Sequence, residues 1–283
     1  MHDNHDRTHD DDHDDDHDDF GGLQRDAAHL IDRRRAFAVL GGAGLVGLLA
    51  ACGAGSSTAT SSSSGAPATT GARGAEAGPG PAIPSETAGP YPADGSNGPN
   101  ILTDGAVVRP DITTSIAPYS GTAEGVPATV QLTVVDATNG DPLPGAAVYL
   151  WHCTAEAQYS IYEVTNENYL RGVQEADAAG RVSFSTIFPG CYAGRWPHAH
   201  FEVYEGLAEA NAGRNAVTTS QFALPRADCE AVYGDARYGQ SAANLGRLSL
   251  TRDIAFADGW EDQLATVAGS NDGGYTVSLL VRV

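Results

Sequence analysis

From 128 to 135 apolar and polar residues alternate, with Ala128, Val130, Leu132 and Val134 set against Thr129, Gln131 and Thr133. A period of two is the mark of a half-buried strand. The next ten residues, 136–145, are crowded with Asp, Asn, Gly and Pro, and a second apolar run over 146–151 follows, so the pair predicts a hairpin with a long loop. Residues 180–188 predict a third strand, with Val182, Phe184, Thr186 and Phe188 on one side. Further strands are predicted over 196–204 and 275–283. Helical patterning is confined to 226–233 and 241–245, and 249–283 otherwise reads as strand and loop. Several short strands separated by frequent turn signals predict an all-β domain, a β-sandwich of antiparallel strands (Ig-like or prealbumin-like) with long loops and little helix.

The first 85 residues do not share this pattern. Residues 1–31 are rich in His and Asp and predict a disordered acidic leader. In the segment 32–52, Arg33, Arg34 and Arg35 precede an uncharged run from Ala36 to Ala51 that ends at Cys52. Twin arginines, a modest apolar run and small residues before a cysteine predict a Tat-type export signal with a lipobox. A lipid on Cys52 is then the expected membrane attachment of a cell-surface or extracellular protein. Residues 53–85 are Gly, Ser, Ala, Thr and Pro with hardly a large apolar side chain, which predicts a flexible tether. The folded unit is expected over 86–283.

Charge narrows the function. The chain carries a net −20, with 12 of its 36 acids and 5 of its 16 basic residues in positions 1–51, leaving 24 acids against 11 bases beyond them, a net of −13. Such a surface repels nucleic acid and anionic lipid. Beyond Cys52 the chain has three histidines, His152, His198 and His200, and three cysteines, Cys153, Cys191 and Cys229. In an oxidising compartment the cysteines allow one disulfide and one leftover thiol, with the pairing open.

The chemistry gathers between Phe188 and His200. Side chains at i and i+2 of a strand share a face, so His198 and His200 can converge on one ion. Tyr192, on the approach to that strand, can add an anionic oxygen. Imidazoles combined with phenolates suit a hard oxidised metal, Fe(III), better than zinc or calcium. Three other readings compete. The histidines can be a plain strand face opposite Ala199, Phe201 and Val203. A cupin-type metal oxygenase can combine them with Glu205, although no histidine follows His200. A non-catalytic Ig-like surface or carbohydrate-binding module would leave the cluster a coincidence.

Residues 86–283 resemble the intradiol ring-cleavage dioxygenases. The resemblance runs through Glu86-Thr-Ala-Gly-Pro-Tyr91, Val108-Arg-Pro-Asp-Ile112, Pro144-Gly-Ala-Ala-Val-Tyr-Leu-Trp151, Leu170-Arg-Gly-Val-Gln174, Ile187-Phe-Pro-Gly-Cys-Tyr192, Arg195-Trp-Pro-His-Ala-His200 and Thr218-Thr-Ser-Gln221. Their order and spacing carry it more than any one fragment. It implies a non-haem Fe(III) held by Tyr159, Tyr192, His198 and His200. Arg195 and Gln221 become catalytic residues, and Tyr192 takes up a substrate proton. The implied reaction is cleavage of a catechol-type aromatic by O2 to a muconate-type dicarboxylate. Gln158 and Ala199 depart from the residues usual at those places in the family, and the family's helical dimerisation segment is missing, so the resemblance carries no oligomeric state. His152 is expected to be structural.

Overall fold

The computed structural model describes residues 77–213 and 215–283. The leader, the signal with Cys52 and most of the tether lie outside them. Eight strands form, β1 (Pro127–Val135), β2 (Ala147–Trp151), β3 (Arg171–Glu175), β4 (Arg181–Ile187), β5 (His198–Tyr204), β6 (Thr218–Ala223), β7 (Thr266–Ser270) and β8 (Gly274–Arg282). Three short helices accompany them, α1 (Leu207–Ala212), α2 (Arg226–Val232) and α3 (Ser241–Leu245). Among the described residues no helix is long and apolar enough to cross a membrane.

The strands make two sheets, ordered β4-β1-β8-β7 and β3-β2-β5-β6. The all-β sandwich expected from the alternation is present, with two changes of detail. The alternating run 128–135 and the apolar run 146–151 do not form a hairpin, because β1 belongs to the first sheet and β2 to the second. Turn formers at 136–145 reverse the chain but do not say which sheet it re-enters. The strands are not all antiparallel either. β1 runs parallel to β8, pairing Ala128 with Tyr275 through Val135 with Arg282.

Period two sorts the side chains of the second sheet between two apolar clusters. Val148 and Leu150 of β2, with Ala199, Phe201 and Val203 of β5, join Val130, Leu132, Val182 and Phe184 in the core between the sheets. Ala147, Tyr149 and Trp151 face the other way, into a second cluster with Leu102, Val107, Tyr159 and Tyr204. Loops from 93 to 107 and 153 to 162 therefore roof the outer face of this sheet. That roof makes β5 buried along its whole length, and it places His198 and His200 beneath loops rather than in solvent.

The expected tether ends earlier than residue 85. The amide of Gly80 donates to Ala137 O and that of Ile83 to Arg282 O, and Ile83 is buried. A single isoleucine in a Gly/Pro-rich stretch gave no periodicity from which to read this docking. The disulfide that the cysteine count allows does not form among the described residues either. Cys153, Cys191 and Cys229 are all free, buried thiols. Burial pushes the Cys191 thiol up to about 12, and burial likewise drives Cys153 and Cys229 upward.

His152 is fully buried, with Nδ1 2.8 Å from Cys153 O and Nε2 2.7 Å from Thr186 Oγ1 on β4. A carbonyl only accepts, so Nδ1 carries the proton and Nε2 accepts from the threonine. Burial pushes its pKa down from 6.5 to about 4, the Cys153 carbonyl opposes this, and the Arg171 cation adds to it. A depressed histidine favours the fold above pH 6.5 and withdraws that stability as pH falls toward 4. The total is about 3 kcal/mol at about 1.4 kcal/mol per pH unit. The urea midpoint of the metal-free protein is expected to fall over this window. The fall should be shallower by one proton in His152→Asn, and equal slopes in the two proteins would refute the assignment.

Candidate metal centre

His198 and His200 start β5, with β2 on one side and β6 on the other. Register sets Trp151 opposite His200 on β2 and Gln221 opposite it on β6. The indole of Trp151 stacks on the His200 ring at 5.0 Å and 6°, fixing the ring plane. The two imidazole Nε2 atoms lie 3.1 Å apart. Tyr192 Oη is 3.2 Å from His198 Nε2, and the Tyr159 ring centroid is 6.0 Å from that of Tyr192 and 6.2 Å from that of His200. The fold thus brings all four expected metal-binding side chains to one place. Tyr159, His198 and His200 are buried, while Tyr192 is half-buried.

Two loops deliver the tyrosines. Gly190 donates its amide to Thr154 O, and a Cβ at Gly190 would stand 2.6 Å from Ala155 O and 2.7 Å from Thr154 O. Only glycine permits this approach, which brings the segment before Tyr192 onto the segment before Tyr159. Ala157 and Ile161, flanking Tyr159, have φ of 66° and 75°. Left-handed backbone at a β-branched residue costs about 1–3 kcal/mol and persists only where surrounding contacts impose it.

Both histidines are held neutral. Burial lowers His198 well below its usual range, with the Arg195 cation adding to it; for His200 burial leads, followed by His198 and Arg195. His198 Nδ1 lies 2.5 Å from Trp196 O, so it carries the proton and Nε2 presents a bare lone pair. That lone pair faces His200 Nε2 and the Tyr192 hydroxyl. Two nitrogens and a phenol oxygen therefore crowd one another within 3.2 Å. A cation in the same space satisfies them all, and the donor set (neutral imidazole nitrogens and phenol oxygens) suits a ferric ion.

Arg195 lies beside this centre, fully buried. Its Nε donates to Asp253 Oδ2 at 3.1 Å and its Nη2 to Gln221 Oε1 at 2.6 Å. Gln221 Nε2 donates onward to Thr87 O at 2.9 Å, so Gln221 ties Arg195 to the entry segment. Burial alone would raise the Asp253 pKa, but Arg195 and the Trp196 N–H hold its carboxyl below the usual range. Asp253 escaped the sequence reading because it lies 58 residues from its partner in a run with no other sign of chemistry. Glu86 was missed likewise. Burial and then the neighbouring Asp258 push its carboxyl up to about 7, and Gln263 Nε2 lies 3.4 Å away.

Two of the rival arrangements do not form. Glu205, needed for a cupin-type set, is exposed just past the end of β5. The histidine face is covered by the 153–162 loop and not by solvent. Among the described residues no group of three or more His, Cys, Asp or Glu could hold a metal, so any ion here depends on tyrosine.

A family model described as "Dioxygenase" matches residues 97–251, over half of the chain. No curated protein matches. An intradiol ring-cleavage dioxygenase from Tetranychus urticae superposes with a TM-score of 0.50 at 23% identity, over 62% of this chain and 85% of that one. The dioxygenase domain of a dioxygenase carbohydrate-binding protein fusion from Streptomyces sp. SirexAA-E aligns at 24% identity over 62% and 87% of the two chains, with a TM-score of 0.41. A roofed sandwich with paired tyrosines and histidines, matched by this family over its central 155 residues, places the chain among the dioxygenases, in the intradiol ring-cleavage family.

Proposed function

We propose that the chain cleaves a catechol-type aromatic with O2 between its two hydroxyl-bearing carbons, giving a muconate-type dicarboxylate. The reaction depends on a non-haem Fe(III) held by Tyr159, Tyr192, His198 and His200. The observation that carries the reading is the meeting of His198 Nε2, His200 Nε2 and Tyr192 Oη within 3.2 Å of their nearest neighbours. Bound Fe(III) would draw electron density from a catecholate and make its ring carbon open to O2.

The chain's own residues supply the rest. Tyr192, the half-buried member of the four, is the one nearest solvent and would take up a proton from a catechol hydroxyl. Arg195 is a permanent cation whose orientation is set by Asp253 and Gln221, so it can stabilise negative charge developing on the substrate without reorganising. The depressed histidines remain neutral and keep their lone pairs available at neutral pH. Trp151 holds His200 in plane, and the roofing loops exclude water from the reacting atoms.

The protein loaded with ferric iron is expected to be red-brown from tyrosinate-to-iron charge transfer, and adding a catechol should move the band. Tyr192→Phe should shift the band and slow turnover by roughly 100-fold, the usual size of a lost acid–base group. A panel of catechols scored by oxygen uptake and by product absorbance names the substrate. A protein that stays colourless after reconstitution with iron would sink this reading and favour a binding module.

A further inference from the structure

Arg171 is the first residue of β3 and is fully buried, yet none of its described partners is a carboxylate. Its hydrogen bonds all go to uncharged oxygens on three separate segments. Nε donates to Ser160 Oγ at 3.0 Å and Nη2 to Ser160 O at 3.0 Å. Nη1 donates to Tyr91 O at 2.7 Å, Pro92 O at 3.2 Å and Tyr149 Oη at 3.4 Å. The guanidinium also lies 6.0 Å from the Tyr159 ring centroid and 5.5 Å from that of Tyr162. Burying a cation in this way is costly unless its donors are satisfied. Here one planar fork does so by holding the loop after Tyr159 on one side and the entry segment 91–92 on the other.

The two segments it joins are the ones the site needs joined. The Tyr91 ring packs on Tyr159 at 5.1 Å and on Tyr162 at 4.9 Å, and Tyr162 Oη accepts from the amide of Ala93. The Tyr159 loop bends through left-handed Ala157 and Ile161, and Leu170, just before Arg171, has φ of 57°. Backbone of this kind relaxes when its outside contacts are removed. Ser160 Oγ, which accepts from Arg171, donates in turn to Tyr169 O at 2.6 Å, closing the loop onto its own far end.

We propose that Arg171 is a positioning residue that bridges the entry segment at Tyr91 and Pro92 to the Tyr159 loop, setting where the Tyr159 oxygen stands. The proposal rests on the reading of Tyr159 as a metal-binding residue. It assigns the work to the fork and not to the charge, since Lys cannot donate in one plane to both segments.

Hydrogen exchange of the full-length, metal-free protein tests it. In Arg171→Lys the amides of Tyr159, Ile161, Val164 and Ala93 are expected to exchange faster by on the order of tenfold, with β1 and β8 unchanged. The tyrosinate band of the iron-loaded variant should also shift. In Ser160→Ala, which removes one acceptor and leaves Arg171 in place, exchange should quicken at 159–164 but not at Ala93. A rise that includes β1 and β8 equally would reduce Arg171 to general packing, and unchanged exchange in both loops would overturn the bridge. Should Arg171→Lys fail to fold, Ser160→Ala decides alone, and no rise at 159–164 counts against the proposal. Wild-type protein that takes up no iron would defeat the proposed function, while the exchange result would still decide whether the bridge exists.

Discussion

His198→Ala is expected to strip the protein of the proposed iron and to abolish turnover. Changes in the shell behind a metal-binding residue already weaken metal affinity by about 10–100-fold, so losing a donor atom should weaken it by roughly 100-fold or more. His198 is the worst of the four to lose. Its Nε2 is the atom that both His200 Nε2 and Tyr192 Oη approach, and its tautomer is set by Trp196 O. Iron per chain, measured by elemental analysis after reconstitution and gel filtration, is the readout. His152→Asn is the matched control, because the His152 ring bonds to Thr186 and Cys153 O and to none of the four cluster residues. It should keep its iron and its colour. Full iron content in His198→Ala, or equal loss in His152→Asn, would mean the ion is held somewhere else.

The cluster was readable because its parts are local. His198 and His200 are two residues apart on a strand, and Tyr192 is six residues before the first of them, so spacing alone placed three of the four residues near one another. Tyr159 needed the resemblance, since its loop returns to the centre through left-handed backbone at Ala157 and Ile161 that no side-chain pattern announces. The remaining support is non-local. Asp253 and Arg171 act on segments 58 and 11 to 80 residues away, and single charged residues leave no periodic trace. The same limit explains the missed strands. β6 reads as polar (Thr218, Thr219, Ser220, Gln221), yet its polar groups are buried against distant chain, with Ser220 Oγ donating to Pro84 O. β2 and β5 were visible as strands but not as two-sided ones, because what covers their outer face comes from loops.

The second large effect is expected at Asp253. Asp253→Ala leaves the Arg195 guanidinium buried with its anionic partner removed, and breaking one side of a buried ion pair costs about 3–5 kcal/mol. In a domain of this size that is a fall in Tm of roughly 10 °C. The loss should exceed that of an ordinary surface carboxylate, because Asp253 also accepts from the amides of Trp196 at 2.6 Å and Ala255 at 2.9 Å, and the Trp196 segment leads directly into His198. Removing both charges together, in Arg195→Met/Asp253→Leu, takes the buried cation away with its carboxylate and should recover a good part of the stability. It should not recover turnover, since the cation proposed to stabilise charge on the substrate is gone. Thermal melts and oxygen uptake on the single and double variants separate these two roles. A double variant no more stable than Asp253→Ala would refute the ion-pair account of the fold, and a double variant that still cleaves catechol would remove Arg195 from the chemistry.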